Sequence, residues 1–218
     1  NIKMENRLNI KSCILLDSKN DWIKPYLSSS ELNLDIIYDF EKTSNYDVCF
    51  LLGFTKILDY KTLYSNCFYL TIHESSLPEG KGFSPVQWQI LDGKNSVDVC
   101  LIELDKEVDS GDILLRGRIR FDGTELYDEI RFLQAKASIS LIKEFISIYP
   151  DYEREEQFGE ETFFEYRSKG ESELDIDKSL KDNFNLLRIC NNEEWPAFFF
   201  HKENKYILKI SKEEEKNE

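Results

Sequence analysis

The chain reads as an α/β protein built on a largely parallel sheet. Three observations predict this. Short, continuous apolar runs of strand length alternate with stretches of helical periodicity. One run, Asp47 to Leu52 (Asp-Val-Cys-Phe-Leu-Leu), is apolar without alternation, as a strand covered on both faces would be. Another, Phe68 to Ile72, leads straight into His73 and then a loop carrying Pro78, Gly80 and Gly82, the kind of strand end where open α/β sheets keep their ligands.

In chain order, residues 1 to 11 are polar and read as loose. Ser12 to Leu16 is the first expected strand, followed by a short helix near Trp22 to Leu27 and a second strand over Leu34 to Tyr38. After the buried run ending at Leu52, Gly53-Phe54-Thr55 opens an expected helix from about Lys56 to Tyr64. Beyond His73, Ser84 at an N-cap and Pro85 at the first helical position start a helix to about Leu91, with Gly93 where a C-terminal cap belongs. Val97 to Leu104 and Asp112 to Ile119 are strand-like. Thr124 is the expected cap of a long helix with Leu126, Ile130, Leu133, Ala137, Leu141 and Phe145 on one face, ended by Tyr149-Pro150. The helix has a packing role.

Residues 1–150 therefore form the principal domain. Residues 151–176, acidic with few apolar anchors, read as a linker or an extended arm wrapped on it. Residues 177–218 read as a small C-terminal unit: a helix capped by Asp177, with Leu180, Phe184 and Leu187 on one face, a β-hairpin from Ala197 to Ile210 turning at His201 to Asn204, and a charged tail.

The 218 residues carry 28 Lys and Arg against 42 Asp and Glu, a formal charge of −14. Nucleic-acid binders need concentrated positive surface, and only Arg116, Arg118 and Arg120 alternate as a basic row, which argues against a nucleic-acid partner. No apolar run is long enough to span a membrane, and the N-terminus lacks the apolar stretch of a signal peptide. Five scattered Cys fit buried thiols in a reducing cytoplasm. The absence of a CxxC pair, with only two His, argues against a zinc site, and no metal is expected.

The stretch from residue 71 to 112 resembles the formyltransferases that use 10-formyltetrahydrofolate. In that family a strand ends in Asn-x-His, followed by x-Ser-x-Leu-Pro-x-x-x-Gly-x-x-Pro and, some thirty-odd residues after the His, by Asp-x-Gly. Here the matches are His73, Ser75, Leu77-Pro78, Gly82 and Pro85, then Asp109-Ser110-Gly111. A second segment, Phe184 to Arg188 and then Trp195-Pro196-Ala197-Phe198, is similar to the small C-terminal segment of the same family. Its shortness here looks more like members acting on nucleotide-linked amino sugars than like the tRNA enzyme.

The resemblance implies a Rossmann-like domain, an N-formyltransferase activity using 10-formyltetrahydrofolate as co-substrate, and a homodimer in many members of the sugar branch. Formyltetrahydrofolate hydrolysis, tRNA formylation and an inactive binding protein are the alternatives. Catalytic positions would be His73, as proton acceptor, and Asp109, as its partner, with Asp105 and Asp112 as competing carboxylates. Thr71 stands where the family has an oxyanion-binding Asn. Its hydroxyl is either a replacement donor or a bystander; loss of one oxyanion donor costs about 3–4 kcal/mol. The folate side would use Gly53, Phe54, Asp105 and Gly111, and the acceptor side Ser75, Leu77, Pro78, Lys81, Gly82 and Ser84. A solvated loop lysine is the commoner alternative for Lys81, and capping or turn formation for Ser75 and Ser84. Trp88 reads as core and His201 as a solvated turn residue.

Overall fold

A computed structural model describes residues 10–54, 58 and 60–213. Its centre is a six-stranded sheet of β1 (Ser12–Leu16), β2 (Asp35–Ile37), β3 (Val48–Leu52), β4 (Phe68–His73), β6 (Ser96–Glu103) and β7 (Ile113–Arg120), ordered β2-β1-β3-β4-β6-β7. The first four strands run parallel. β6 is antiparallel to β4, and β7 antiparallel to β6, so five of the six point the same way. This is the expected mostly parallel α/β sheet. β1 and β3 are buried along their whole length, which is why neither alternates in sequence.

Strand residues alternate between faces. Ile14, Phe50, Leu70 and Val99 lie on one side, under the long helix α3 (Tyr127–Ile148), and Phe145 meets Phe50 edge-on at 6.0 Å between ring centres. Cys13, Leu15, Cys49 and Tyr69 lie on the other, beneath Phe40 and Tyr64. All five Cys are buried and none is in a disulfide.

Several elements differ from expectation at their ends. α1 (Lys24–Ser29) begins two residues late, after Ile23. The first residue of α3 follows Leu126, whose N–H donates to Glu129 at 2.8 Å; Thr124 instead bonds Asp122 in the preceding turn. The buried stripe of α3 includes Gln134, Ala135, Ser138 and Ile142, while Leu133 and Ala137 are half-buried at its margin. Of the helix expected over Lys56 to Tyr64, residues 56, 57 and 59 lie outside the described residues, and Tyr60–Thr62 is one 3₁₀ turn instead.

α4 (Leu180–Ile189) is capped by Ser179 rather than Asp177, its hydroxyl accepting from the Asp182 N–H, and Leu180 is exposed. The β9–β10 hairpin (Ala197–His201, Asn204–Leu208) turns through Lys202 and Glu203. This unit is riveted to the sheet domain by Arg188, which is 1% exposed and donates to the Glu125 carboxylate at 2.7 Å and its carbonyl at 2.9 Å.

Residues 152–165 pack on the sheet domain, while Leu174 packs with the C-terminal unit. Glu155 exchanges backbone hydrogen bonds with Ile113, and a two-residue strand β8 (Phe163–Phe164) pairs with β5 (Lys81–Gly82), just past the His73 strand end.

Candidate active site

His73 is the last residue of β4 and 5% exposed. Thr71 precedes it by two and so shares its face of the sheet, opposite α3. The loop that follows folds back over the ring. Gly80 (φ +73°) and Gly82 (φ +96°) both need left-handed backbone, and a Cβ on Gly82 would sit 2.5 Å from the Phe164 carbonyl. Two glycines here let the loop lie against β8 while its carbonyls and amides face inward.

The Gly80 carbonyl lies 2.7 Å from His73 Nε2, and a carbonyl only accepts, so Nε2 carries a hydrogen. Nδ1 faces Asp109 Oδ2 at 3.4 Å. The same carboxylate oxygen accepts the Gly82 N–H at 2.9 Å. Negative charge thus stands beside the ring nitrogen that can take up a proton, the arrangement by which a carboxylate orients and supports an imidazole. Both nitrogens are engaged within the protein. An incoming amine must displace the Gly80 carbonyl or enter between Nδ1 and Asp109.

Of the three candidate carboxylates, only Asp109 is brought to His73. Asp105 is exposed and accepts from the Lys106 N–H at 2.7 Å. It follows Leu104, whose N–H bonds the Tyr69 carbonyl, so it is set four residues down β4 from His73. The Asp112 carbonyl accepts from the Glu103 N–H at 3.0 Å. Asp109 itself sits at φ +55°, a left-handed position Asp tolerates better than most residues. Gly111 meets the β6 end so closely that a Cβ would lie 1.8 Å from the Glu103 carbonyl oxygen. Burial pushes the Glu103 carboxyl above its ordinary value, with Arg154 at 2.9 Å opposing the shift.

The Thr71 hydroxyl donates to the Leu51 carbonyl at 3.1 Å. Its one hydrogen is used there, so in this conformation it presents lone pairs rather than an oxyanion donor. Lys81 is neither solvated nor free for a phosphate: it is 2% exposed and paired with Glu161 at 2.6 Å. Its position in β5, under the strap that carries Glu161, draws it inward. Ser84 precedes α2 (Pro85–Leu91) as expected, but at φ 52° its side chain makes no capping bond.

Ser75 is buried, and its hydroxyl has no partner among the described residues. Leu77 packs with Cys100, Ile102 and Ile113, and Pro78 lies against Gly159. Cys100 is the cross-strand partner of His73; burial pushes its thiol up, and it donates to the Ser75 carbonyl at 3.3 Å. Gly53 (φ +59°) ends the adjacent strand, its carbonyl held by Asn20 at 2.8 Å, and Phe54 packs on the Tyr69 side of the sheet. Trp88 is half-buried and donates to the Glu165 carbonyl at 2.8 Å.

Residues 157–165 carry contacts that the sequence pattern hides. Thr162 accepts the Gly80 N–H at 2.8 Å, and Gln157 grips the Asp109 turn. No periodicity marks them, because a strap held by single side chains and one two-residue strand pairing has none.

The formyl transferase family model matches residues 13–142, which include His73, Asp109 and Gly111. The chain belongs to that family. Methionyl-tRNA formyltransferase of Lachnospira eligens is 27% identical to this formyl transferase chain over 176 residues, 78% of this chain and 54% of that relative. The chain spans about half the length of the curated relatives it matches. Its fold is also that of a methionyl-tRNA formyltransferase from Clostridium thermocellum (TM-score 0.76, 22% identity, covering 95% of this chain and 96% of that one). A sugar N-formyltransferase from Shewanella sp. FDAARGOS_354 shares it at TM-score 0.65 and 17% identity, covering 94% and 98%. Among the described residues of this formyl transferase, no three His, Cys, Asp or Glu side chains converge to hold a metal, and no helix is long and apolar enough to cross a membrane.

Proposed function

We propose that the chain transfers the formyl group of 10-formyltetrahydrofolate to the amino group of a nucleotide-linked amino sugar. The observation that carries the reading is the His73–Asp109 pair at the carboxyl end of β4, set in a glycine-lined loop. Formyl transfer needs a base for the attacking amine and support for the tetrahedral oxyanion. His73 takes the amine proton at Nε2 once the acceptor displaces the Gly80 carbonyl and the ring hydrogen has moved to Nδ1, where Asp109 accepts its hydrogen bond, holds the ring and balances its charge. Thr71 reaches the oxyanion only if its hydrogen leaves Leu51.

The acceptor assignment rests on charge. The chain carries −14, and in its basic row Arg116 is bound to Glu155 and Arg118 to Asp98, each at 2.7 Å. A polyanionic backbone would meet few free cations there. The relatives' name supports a second reading, formylation of methionyl-tRNA.

The test is release of tetrahydrofolate from 10-formyltetrahydrofolate with and without UDP- and dTDP-linked amino sugars. Release dependent on one sugar establishes the reaction. Release without any acceptor identifies a hydrolase, and a shift of initiator tRNA at low salt with no sugar dependence favours the tRNA reading. Ligand binding with no product under any condition refutes catalysis. His73→Ala is expected to abolish turnover while the folate donor still binds.

A further inference from the structure

We propose that Gln157 is a positioning residue that holds the Asp109 carboxylate against His73. It lies outside the segment matched by the family model, in the strap that packs over the sheet edge. Its Nε2 donates to the carbonyls of Asp109 and Gly111, both at 2.8 Å. One amide thus clamps both ends of the Asp109-Ser110-Gly111 turn.

The turn needs such a clamp. Asp109 is left-handed at φ +55°, and its Oδ2 must meet the Gly82 N–H at 2.9 Å and His73 Nδ1 at 3.4 Å together. Gly111 is pressed on the Glu103 carbonyl and has no slack in that direction. A small rotation about Asp109 would carry the carboxylate off both partners.

The orientation of the amide is set by its surroundings. Flipping it would place Oε1 against two carbonyl oxygens, which cannot donate. In the observed orientation Oε1 is buried without a partner among the described residues. A buried amide that leaves its own acceptor unsatisfied in order to aim both hydrogens at one turn serves that turn. The strap anchors it from the other side, through the Glu155–Ile113 backbone pair and the Arg116–Glu155 ion pair.

The proposal rests on the His73 and Asp109 roles given above, so its test includes a readout independent of turnover. The chain has only two His, and His201 is exposed at the end of β9, so the imidazole ¹⁵N resonances of His73 are separable by comparison with His201→Gln. Gln157→Met keeps the length and removes the donor; Gln157→Glu keeps the shape and exchanges the donor for an oxygen. In either variant, folded by its thermal transition, the His73 ring resonances are expected to shift while those of His201 stay. Where turnover is measurable, kcat is expected to fall about 10- to 100-fold, with KM for the folate donor within about twofold. Glu155→Gln, which removes the exposed ion pair but keeps the Glu155–Ile113 backbone pair and both Gln157 bonds, is expected to leave the His73 resonances in place. His73 resonances unchanged in a folded Gln157 variant, or moved as far by Glu155→Gln, would overturn the proposal. An inactive wild-type chain with shifted resonances would refute the assigned reaction and leave the positioning role supported.

Discussion

Gly111→Ala tests how the site is built. The added Cβ would lie 1.8 Å from the Glu103 carbonyl oxygen and 2.7 Å from its carbon, both inside the 3.0 Å that real Cβ contacts respect. The obstacle is backbone of β6, not the end of a pliable side chain, so the two segments must part by about 1 Å. Overpacking of this kind costs about 1–3 kcal/mol. The Glu103 N–H bond to Asp112, 3.0 Å long and adjacent to the clash, is lost with it and adds about 1 kcal/mol. The total of about 2–4 kcal/mol lowers Tm by about 4–16 °C for a chain of this size. The same displacement moves Asp109, two residues away, off His73, and misplacement by about 1 Å reduces turnover about 100-fold. Thermal unfolding by circular dichroism and tetrahydrofolate release under one buffer give both numbers. A Tm within about 1 °C of wild type, with kcat/KM within about twofold, would refute the close approach and the reasoning built on it.

Other perturbations separate the roles of neighbouring residues. Lys81→Met should leave the KM for a nucleotide-sugar acceptor within about twofold, since its ammonium is committed to Glu161; a tenfold rise in KM would mean that it reaches a phosphate. Arg188→Met removes one partner of a buried pair and should cost about 3–5 kcal/mol, read as a lower urea midpoint and faster proteolysis near residues 180–210. Hydrogen bonding to Arg116 holds the Glu155 carboxyl below its ordinary 4.5. Its contribution is therefore present above about pH 4.5 and is lost as pH falls through the lower folded value. Because Glu155 is largely exposed, Glu155→Gln should flatten the loss of stability between pH 6 and pH 3.5 by less than about 1 kcal/mol, and equal slopes in urea titrations would contradict it.

How much of the site could be read in advance depended on how each residue is held. Gly82 and Gly111 stand in the sequence because backbone touches backbone there, and the Asp-x-Gly spacing carries that constraint into one dimension. Asp109 was distinguished from Asp105 and Asp112 only by its place in that motif; the tertiary reason is that the loop after β6 turns back across the sheet and returns residue 109, not 105, to His73. Lys81 looked like any loop lysine. Its burial follows from Glu161 and Phe163, eighty residues on, which no local pattern announces. Thr71 gave no hint that its hydrogen goes to Leu51, because the neighbour of a parallel strand is set by sheet order.

The α/β class, the parallel core and the strand end that carries His73 were legible along the chain before any folding was considered. Those rest on apolar periodicity and on glycine and proline positions, which act within a few residues of chain. The folded chain alone shows that residues 157–165 lie over the His73 strand end, and that one glutamine bonds both ends of the Asp109 turn. Single polar contacts between distant segments impose no repeat on the sequence, so they exist for the reader only once the chain has folded.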